Sequence, residues 1–163
     1  MKKLMCLILF FTSFSFAEKN YKLVNEILFE TSVQPVSSYD YQNFKLLYND
    51  RSLLGLNDNL FKSAEEEFLF IFLVSLEAED LDIDADPVVV KKLSQKIDSL
   101  HLSKQKNKEI QQWIQKFGSV TRHLNLKKAQ HESRDAVTAW NESLQRKFSL
   151  QVKSNEFKNK IQF

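Results

Sequence analysis

The sequence predicts a mainly α-helical domain, in which a small helical bundle surrounds a central buried helix at about residues 64–81. Three observations support this fold class. Residues 68–74 form an unbroken apolar run after a helix-capping signal, apolar residues recur at helical spacing through much of the chain, and short alternating segments lie near both ends. We expect the two terminal strands to pair, because a lone strand leaves its backbone groups without partners.

The central helix has a clear start signal. The Ser63 side chain can cap it, and Glu66, three residues later, completes a capping box. The acidic residues at 65–67 also favour the positive end of the helix dipole. The apolar run at 68–74 puts apolar side chains on every face, which is typical of a helix surrounded by other elements. The run is too short to cross a bilayer, which needs about 20 apolar residues.

The first residues have the pattern of a secretory signal peptide at 1–17. Lys2 and Lys3 give a basic start, an apolar segment follows, and small residues precede a cleavage site after Ala17. We therefore expect secretion, a single domain over residues 18–163, and no stable membrane insertion after cleavage. An uncleaved membrane anchor is the alternative, for which the apolar run is short.

Cleavage would change the composition of the chain. The only cysteine, Cys6, would leave, so the mature protein would have no disulfide or thiol chemistry. Loss of Lys2 and Lys3 would leave 21 basic and 21 acidic residues, which gives no argument for nucleic-acid binding. Residues 63–86 hold nine acids and no base, whereas residues 91–163 hold 16 bases and six acids. We expect these two parts to face each other or water.

The elements before the central helix are short. Residues 21–30 favour a strand or a tight hairpin that turns at Asn25–Glu26. Residues 31–37 contain a proline and several serines, so a loop is predicted there. Ser38 can cap a helix with apolar residues at helical spacing, and turn residues between 49 and 59 follow it.

The elements after the central helix are longer. An Asp-Pro start signal predicts a helix from residue 87 to about residue 100. Ser103 caps the next helix, and Gly118 is expected to end it. Ser119 caps a longer helical stretch to about residue 148, with a possible break near residues 132–133.

Two segments near the end of the chain alternate. Residues 148–152 are predicted to form the closing strand. Residues 157–163 end in Phe163 and resemble the last strand of an outer-membrane barrel, but the chain lacks the many alternating segments of about ten residues that a barrel needs. A frayed strand or tail is therefore predicted there.

The histidines give little support for catalysis. A zinc site needs at least three convergent ligands, and His101, His123 and His131 include no pair at i, i+4. The least supported hypothesis is a metal-dependent hydrolase that uses His123, His131 and Asp135; solvated surface histidines are the alternative. The sequence contains no glycine-rich phosphate loop and no Gly-x-Ser-x-Gly motif. We therefore predict no enzymatic activity, no cofactor and no metal site.

An acidic segment offers a calcium hypothesis. Asp80, Asp82 and Asp84 fit the first oxygen positions of an EF-hand loop, but Ala85 and Lys91 stand where that loop has glycine and glutamate. Capping and turn chemistry is the preferred interpretation of these residues.

The candidate binding surface consists of aromatic residues, which are more numerous than one small core obviously needs. They are Tyr41, Phe44, Tyr48, Phe61, Trp113 and Phe117. Exposed aromatic patches mark binding sites, and aromatic anchors supply much of the binding energy at interfaces. The alternative, that most of these residues belong to the core, stays open.

Three segments carry a family resemblance. Residues 24–29 resemble the N-terminal hairpin of the SurA-type periplasmic chaperones, which belong to the SurA/PpiC/trigger-factor group. Residues 68–84 resemble the apolar helix of that family with its Glu-Ala and Leu-Gly-Ile pattern, and residues 140–152 resemble its closing helix and strand. Glu26 and Asp82 stand where the family has glycine.

The resemblance covers about residues 21–152 and leaves no room for a prolyl isomerase domain. It implies a periplasmic, chaperone-like protein without isomerase activity. The implied partners are unfolded or extended segments of envelope and outer-membrane proteins, which the family holds in a groove of its helical bundle. The alternative is a structural or adaptor subunit of an envelope complex, with one fixed protein partner.

Overall fold

The helix α2 (Ala64–Asp80) lies at the centre of the molecule, as the sequence predicts. The computed structural model describes residues 25–128 and 133–161. Each of the seven apolar residues from Phe68 to Val74 is at most 1% exposed. They belong to one hydrophobic core that draws on all the other helices and on the sheet. The predicted fold class, a mainly helical bundle around a central buried helix, is confirmed.

Five further α-helices in the described residues surround α2. They are α1 (Ser38–Tyr48), α3 (Pro87–Asp98), α4 (Lys104–Leu126), α5 (Arg134–Lys147) and α6 (Asn155–Lys160). Two short 3₁₀ helices, Arg51–Leu54 and Asp58–Leu60, connect α1 to α2. The long helix α4 packs against α1, α2 and α3, while α5 packs against α2.

Serine side chains cap every described α-helix except α3, with small differences from the prediction. The Ser63 hydroxyl accepts a hydrogen bond from the Glu66 N–H (3.1 Å), which confirms the predicted cap of α2. The Glu66 carboxylate accepts from the Lys62 N–H (2.7 Å), one residue earlier than in a standard capping box. The N-cap of α1 is Ser37 rather than Ser38, because Asp40 completes a capping box with Ser37.

A small antiparallel sheet joins the two ends of the described chain. Its central strand, β1 (Ile27–Glu30), pairs with β2 (Pro35–Ser37) on one side and with β3 (Gln151–Val152) on the other. Beyond β3, the N–H of Lys153 donates to the Leu28 carbonyl (2.9 Å). The predicted pairing of the terminal strands is confirmed.

The position of the hairpin turn differs from the prediction. The chain reverses at residues 31–34, where the Thr31 hydroxyl accepts from the N–H groups of Val33 (3.3 Å) and Gln34 (3.1 Å). A threonine side chain that satisfies its own turn can replace the usual Asn-Gly signal. The predicted strand is confirmed at residues 27–30, and the alternative of a turn at Asn25–Glu26 is wrong. The predicted loop is confirmed for residues 31–34 and wrong for residues 35–37, which form β2. Residues 21–24 of the predicted strand lie outside the described residues.

Gly118 does not end a helix, so the helix end predicted there is wrong. It lies inside α4, and a Cβ atom there would stand 2.8 Å from Ala85 Cβ and 2.9 Å from Val90 Cγ2. The backbone at Asp86 comes so close that its N–H donates to the Gly118 carbonyl (3.1 Å). The glycine thus permits close packing instead of a stop. The predicted break near residues 132–133 is confirmed, because the Ser133 side chain caps a separate helix, α5.

The last described segment is also helical, not extended. Ser154 caps α6, and Phe157 turns inward to the core. The prediction of a frayed strand or tail over residues 157–163 is therefore wrong for residues 157–160, because one buried aromatic residue anchors a helical turn. Phe163 lies outside the described residues, as does the predicted signal peptide at 1–17.

Ion pairs join the acidic central segment to the basic later part of the chain. The pairs are Lys160–Glu65, Arg134–Glu66, Lys127–Glu77, Lys116–Glu79 and Lys147–Asp80. The expectation that the acidic and basic parts face each other is confirmed. The pairs whose partners are both exposed to water, such as Lys147–Asp80, contribute little stability individually.

Candidate functional site

The structure brings five of the six candidate aromatic residues together. The Phe44 ring lies at the centre of the group, with ring centroids at 6.2 Å from Tyr41, 5.4 Å from Tyr48, 6.2 Å from Trp113 and 5.9 Å from Phe117. The sixth candidate, Phe61, lies apart and packs on Phe70, with the ring centroids 5.3 Å apart. The cluster is therefore continuous with the core around α2.

Three of these residues have no surface to offer a ligand in this conformation. Phe44 and Phe117 are 0% exposed and Trp113 is 4% exposed. The expectation that they line an exposed groove is corrected, because they fill the space between α1, α2 and α4. Tyr41, Tyr48 and Phe61 remain half-buried. The alternative that the sequence left open, a core role, holds for the three buried residues.

The Tyr48 hydroxyl is hydrogen-bonded to two charged side chains. It donates to the Glu67 carboxylate (3.0 Å) and accepts from the Arg51 guanidinium (2.7 Å). Arg51 also pairs with Glu67 at 3.1 Å. Burial, and then the Glu67 carboxylate, raise the pKa of Tyr48 above its usual range. This side chain closes the junction between α1 and α2.

Tyr41 is the candidate residue that lines a cleft. The cleft has a volume of about 270 Å³ and lies between α1, the start of α2, the hairpin strand β1 and α6. We call it the hairpin cleft. Its apolar wall is formed by Leu28, Tyr41 and Phe157, and Gln42 of α1 also lines it. Its size suits one or two side chains rather than a large ligand, since small-molecule pockets usually span about 300–1,000 Å³.

Charged side chains of both signs also line the hairpin cleft. They are Glu26, Lys45, Glu65, Glu156 and Lys160. The Lys45 ammonium lies 4.7 Å from the centre of the Tyr41 ring, which is a cation–π distance. Burial, and then Glu65, raise the pKa of Tyr41 well above its usual range, so this phenol stays neutral. The cleft thus combines an apolar wall with charged and hydrogen-bonding groups.

A second polar cluster lies on the other half of α2, and the sequence analysis missed it. The Glu77 carboxylate accepts from Trp140 Nε1 (3.1 Å) and Lys127 Nζ (3.2 Å), and His123 Nε2 lies 2.8 Å from it. Because an ionised carboxylate only accepts, Nε2 carries the proton, and the buried Nδ1 has no protein partner. The signal available in the sequence was Glu77 itself, an acidic residue close behind the long apolar run of the central helix.

The same cluster changes the protonation of Glu77. Burial alone would raise the pKa of this carboxyl, but the hydrogen bonds from His123 and Lys127 outweigh it and hold the pKa below its usual value. The Lys127 ammonium also lies 5.1 Å from the Trp140 ring centre. The cluster therefore fixes α2, α4 and α5 relative to one another through one charged group.

The structure places the residues of the hypothetical metal site in different environments. His123 is 1% exposed, so it is not a solvated surface residue, whereas His101 and Asp135 are exposed. His131 lies outside the described residues. Within residues 25–128 and 133–161, no three His, Cys, Asp or Glu side chains lie together as a metal site would require.

The acidic residues at and beyond the end of α2 form a helix cap and a turn, which is the interpretation that the sequence favours. The Asp86 carboxylate accepts from the N–H groups of Val88 (2.8 Å) and Val89 (3.3 Å) at the start of α3. Asp80 pairs with Lys147 at 2.7 Å. Asp82 has a positive φ of 52°, a conformation that aspartate tolerates better than most residues. The chain therefore leaves α2 through a left-handed residue that is not a glycine.

Comparisons with protein-family models, with curated proteins and with solved structures return no match. In the part of the chain that the structure describes, no helix has both the length and the apolar character needed to cross a membrane.

Proposed function

We propose that this protein is a periplasmic, chaperone-like protein that binds extended segments of unfolded envelope or outer-membrane proteins at the hairpin cleft, without isomerase activity. The observation that carries the proposal is the cleft itself, where the half-buried ring of Tyr41 meets a lining of charged side chains. Aromatic anchors in small pockets supply much of the energy of protein recognition. A small open cleft suits single side chains of an extended client.

The surroundings of the cleft also support a peptide ligand. Glu26 and Ser38 stand where β1 and β2 meet α1, and the Ser38 N–H donates to the Glu26 carbonyl (2.7 Å). Both strands that flank β1 are short, and each lies at an edge of the sheet. Extended peptides commonly bind beside sheet edges, where backbone groups give affinity and neighbouring pockets give specificity.

The sequence supplies the remaining support. The resemblance of residues 24–29, 68–84 and 140–152 to the SurA-type core suggests chaperone activity, and the signal-like residues 1–17 suggest export. The confirmed pairing of β1 with β3 agrees with the order of elements on which that resemblance rests.

An aggregation assay tests the proposal. A urea-unfolded outer-membrane barrel protein is diluted into buffer with and without the purified protein, and light scattering is followed. We expect the protein to slow aggregation, and the substitution Gln42→Trp to weaken client binding about tenfold by filling the cleft. The matched control Gln95→Trp, on the outer face of α3, should behave as the wild type does.

Two results would change the conclusion. If the protein neither slows aggregation nor binds aromatic-rich peptides, the proposal is wrong. If it instead captures a single partner at fixed stoichiometry and ignores unfolded clients, the adaptor function replaces the chaperone function.

A further inference from the structure

The short helix α6 is anchored to the protein mainly by one buried side chain. Of its six residues, Phe157 is buried and the other five are exposed. An isolated helix of this length has almost no stability of its own, because the unfavourable free energy of nucleation exceeds the free energy gained from its few hydrogen bonds. The position of α6 therefore depends on what Phe157 and its neighbours contact.

Phe157 occupies an aromatic socket, which we define as Phe29, Tyr41 and Phe68. Its ring centroid lies 5.5 Å from that of Phe29, 6.4 Å from that of Tyr41 and 6.3 Å from that of Phe68. The rings of Tyr41 and Phe68 meet it nearly edge-on, at interplanar angles of 77° and 89°. Edge-to-face contacts of this kind are favourable beyond the area they bury. The socket thus recognises an aromatic ring.

Lys160, three residues after Phe157, gives the second point of attachment. Its ammonium lies 3.5 Å from Glu65 and 2.9 Å from Glu156. Its carbonyl accepts from the Ser63 hydroxyl (2.7 Å), which is the side chain that caps α2. Glu65 therefore offers a fixed negative charge beside the socket, at the start of the central helix.

We propose that α6 is an exchangeable wall of the hairpin cleft, and that the ligands of this site are peptide segments with an aromatic residue followed three positions later by a lysine or arginine. This inference rests on the proposed function and specifies its ligand. A client of this class takes the place of Phe157 in the socket and pairs its basic side chain with Glu65. Its apparent affinity is reduced by the fraction of molecules in which α6 remains bound.

A peptide that copies α6 tests the inference. The probe is the segment Ser154–Ile161, acetylated, amidated and fluorescently labelled, and its binding to the full-length protein is followed by anisotropy. We expect Phe157→Ala to bind the probe about tenfold or more tightly than the wild type does, because its own socket is empty. A probe in which alanine replaces the phenylalanine should not bind.

A milder variant covers the case in which Phe157→Ala fails to fold, as judged by circular dichroism. Lys160→Glu places like charge near Glu65 and Glu156 without touching the core, and should tighten probe binding about two- to fivefold. Lys158→Glu is the matched control, since it makes the same charge change at an exposed position of α6, and should leave binding unchanged.

The failures of the inference and of the proposed function differ. If the folded Phe157→Ala and Lys160→Glu variants bind the probe no more tightly than the wild type, while the wild type still slows client aggregation, α6 is a fixed part of the core and the inference is overturned. If the wild type and every variant ignore both the probe and unfolded clients, the proposed function fails as well.

Discussion

Gly118 shows how one residue can carry a packing constraint. In an open helix, replacing glycine by alanine stabilises by about 1 kcal/mol. Here the added Cβ would lie 2.8 Å from Ala85 Cβ and 3.2 Å from the Asp86 nitrogen, and neither atom can rotate away. We expect Gly118→Ala to lower the free energy of unfolding by about 1–3 kcal/mol, measured by urea denaturation.

A matched substitution on the exposed side of α4 separates packing from helix propensity. Gln115→Ala should change the free energy of unfolding by less than about 0.5 kcal/mol. A Gly118→Ala protein that is more stable than the wild type would show that α3 and α4 are not in close contact at this point.

The lowered pKa of the Glu77 carboxyl predicts that the stability of the protein depends on pH. The pKa of its carboxyl is lower in the folded protein than the value of about 4.3 usual for unfolded chains. The unfolded state thus binds the proton more tightly, so this group stabilises the fold above that value and the contribution is lost as pH falls through the folded pKa. The wild type should therefore lose more unfolding free energy than Glu77→Gln between about pH 7 and pH 3.

The same variant has a predicted effect at neutral pH. Removing the charge that binds His123, Lys127 and Trp140 should lower the free energy of unfolding by about 1–3 kcal/mol. The exposed control Glu142→Gln should have little effect, because its partner Arg146 is 3.8 Å away and open to water. Identical pH slopes for the wild type and Glu77→Gln would contradict the assignment.

At the scale of elements, the cap of α3 gives a prediction. The Asp86 carboxylate accepts hydrogen bonds from two N–H groups at the start of that helix, those of Val88 and Val89. Asp86→Ala should lower the free energy of unfolding by about 0.5–2 kcal/mol, and Asp86→Ser should recover most of the loss because serine also caps. Thermal and urea unfolding measure both; equal stability of the alanine variant and the wild type would exclude the cap.

Local signals predicted the elements that depend on them. The capped apolar run predicted α2, the Asp-Pro start predicted α3, and the break near residues 132–133 predicted the separate helix α5. A helix end was wrongly predicted at Gly118, because a glycine required for close packing against a neighbouring helix looks the same in sequence as one that ends its own helix. The turn at Thr31 was missed because a side-chain hydrogen bond, rather than a glycine, forms it.

The candidate site was predicted less well, for a physical reason. Aromatic residues at helical spacing show which face of α1 is apolar, but not whether another element covers that face. In the folded protein α4 covers Phe44, and Tyr41 remains at the cleft. The part played by Phe157 depends on how the end of the chain folds back, and its short segment carries no strong helical pattern.

At the scale of the whole molecule, local stability should be uneven. The amides of residues 68–74 lie in the buried central helix and should exchange with solvent only through global unfolding. Those of α6 should exchange through a smaller local opening, since five of its six residues are exposed. Hydrogen exchange monitored by NMR at increasing denaturant measures both. Equal protection of the two helices would contradict a detachable α6.

Photocrosslinking tests the central claim, that extended clients bind at the hairpin cleft. A small photoreactive diazirine amino acid, close to glutamine in size so that it leaves the cleft open, is placed at Gln42, which lines the cleft, or at the exposed Gln95 of α3, and each protein is irradiated with an unfolded outer-membrane barrel protein. We predict strong crosslinks from position 42 and few from position 95. Equal crosslinking from both positions, or none from position 42, would contradict the claim.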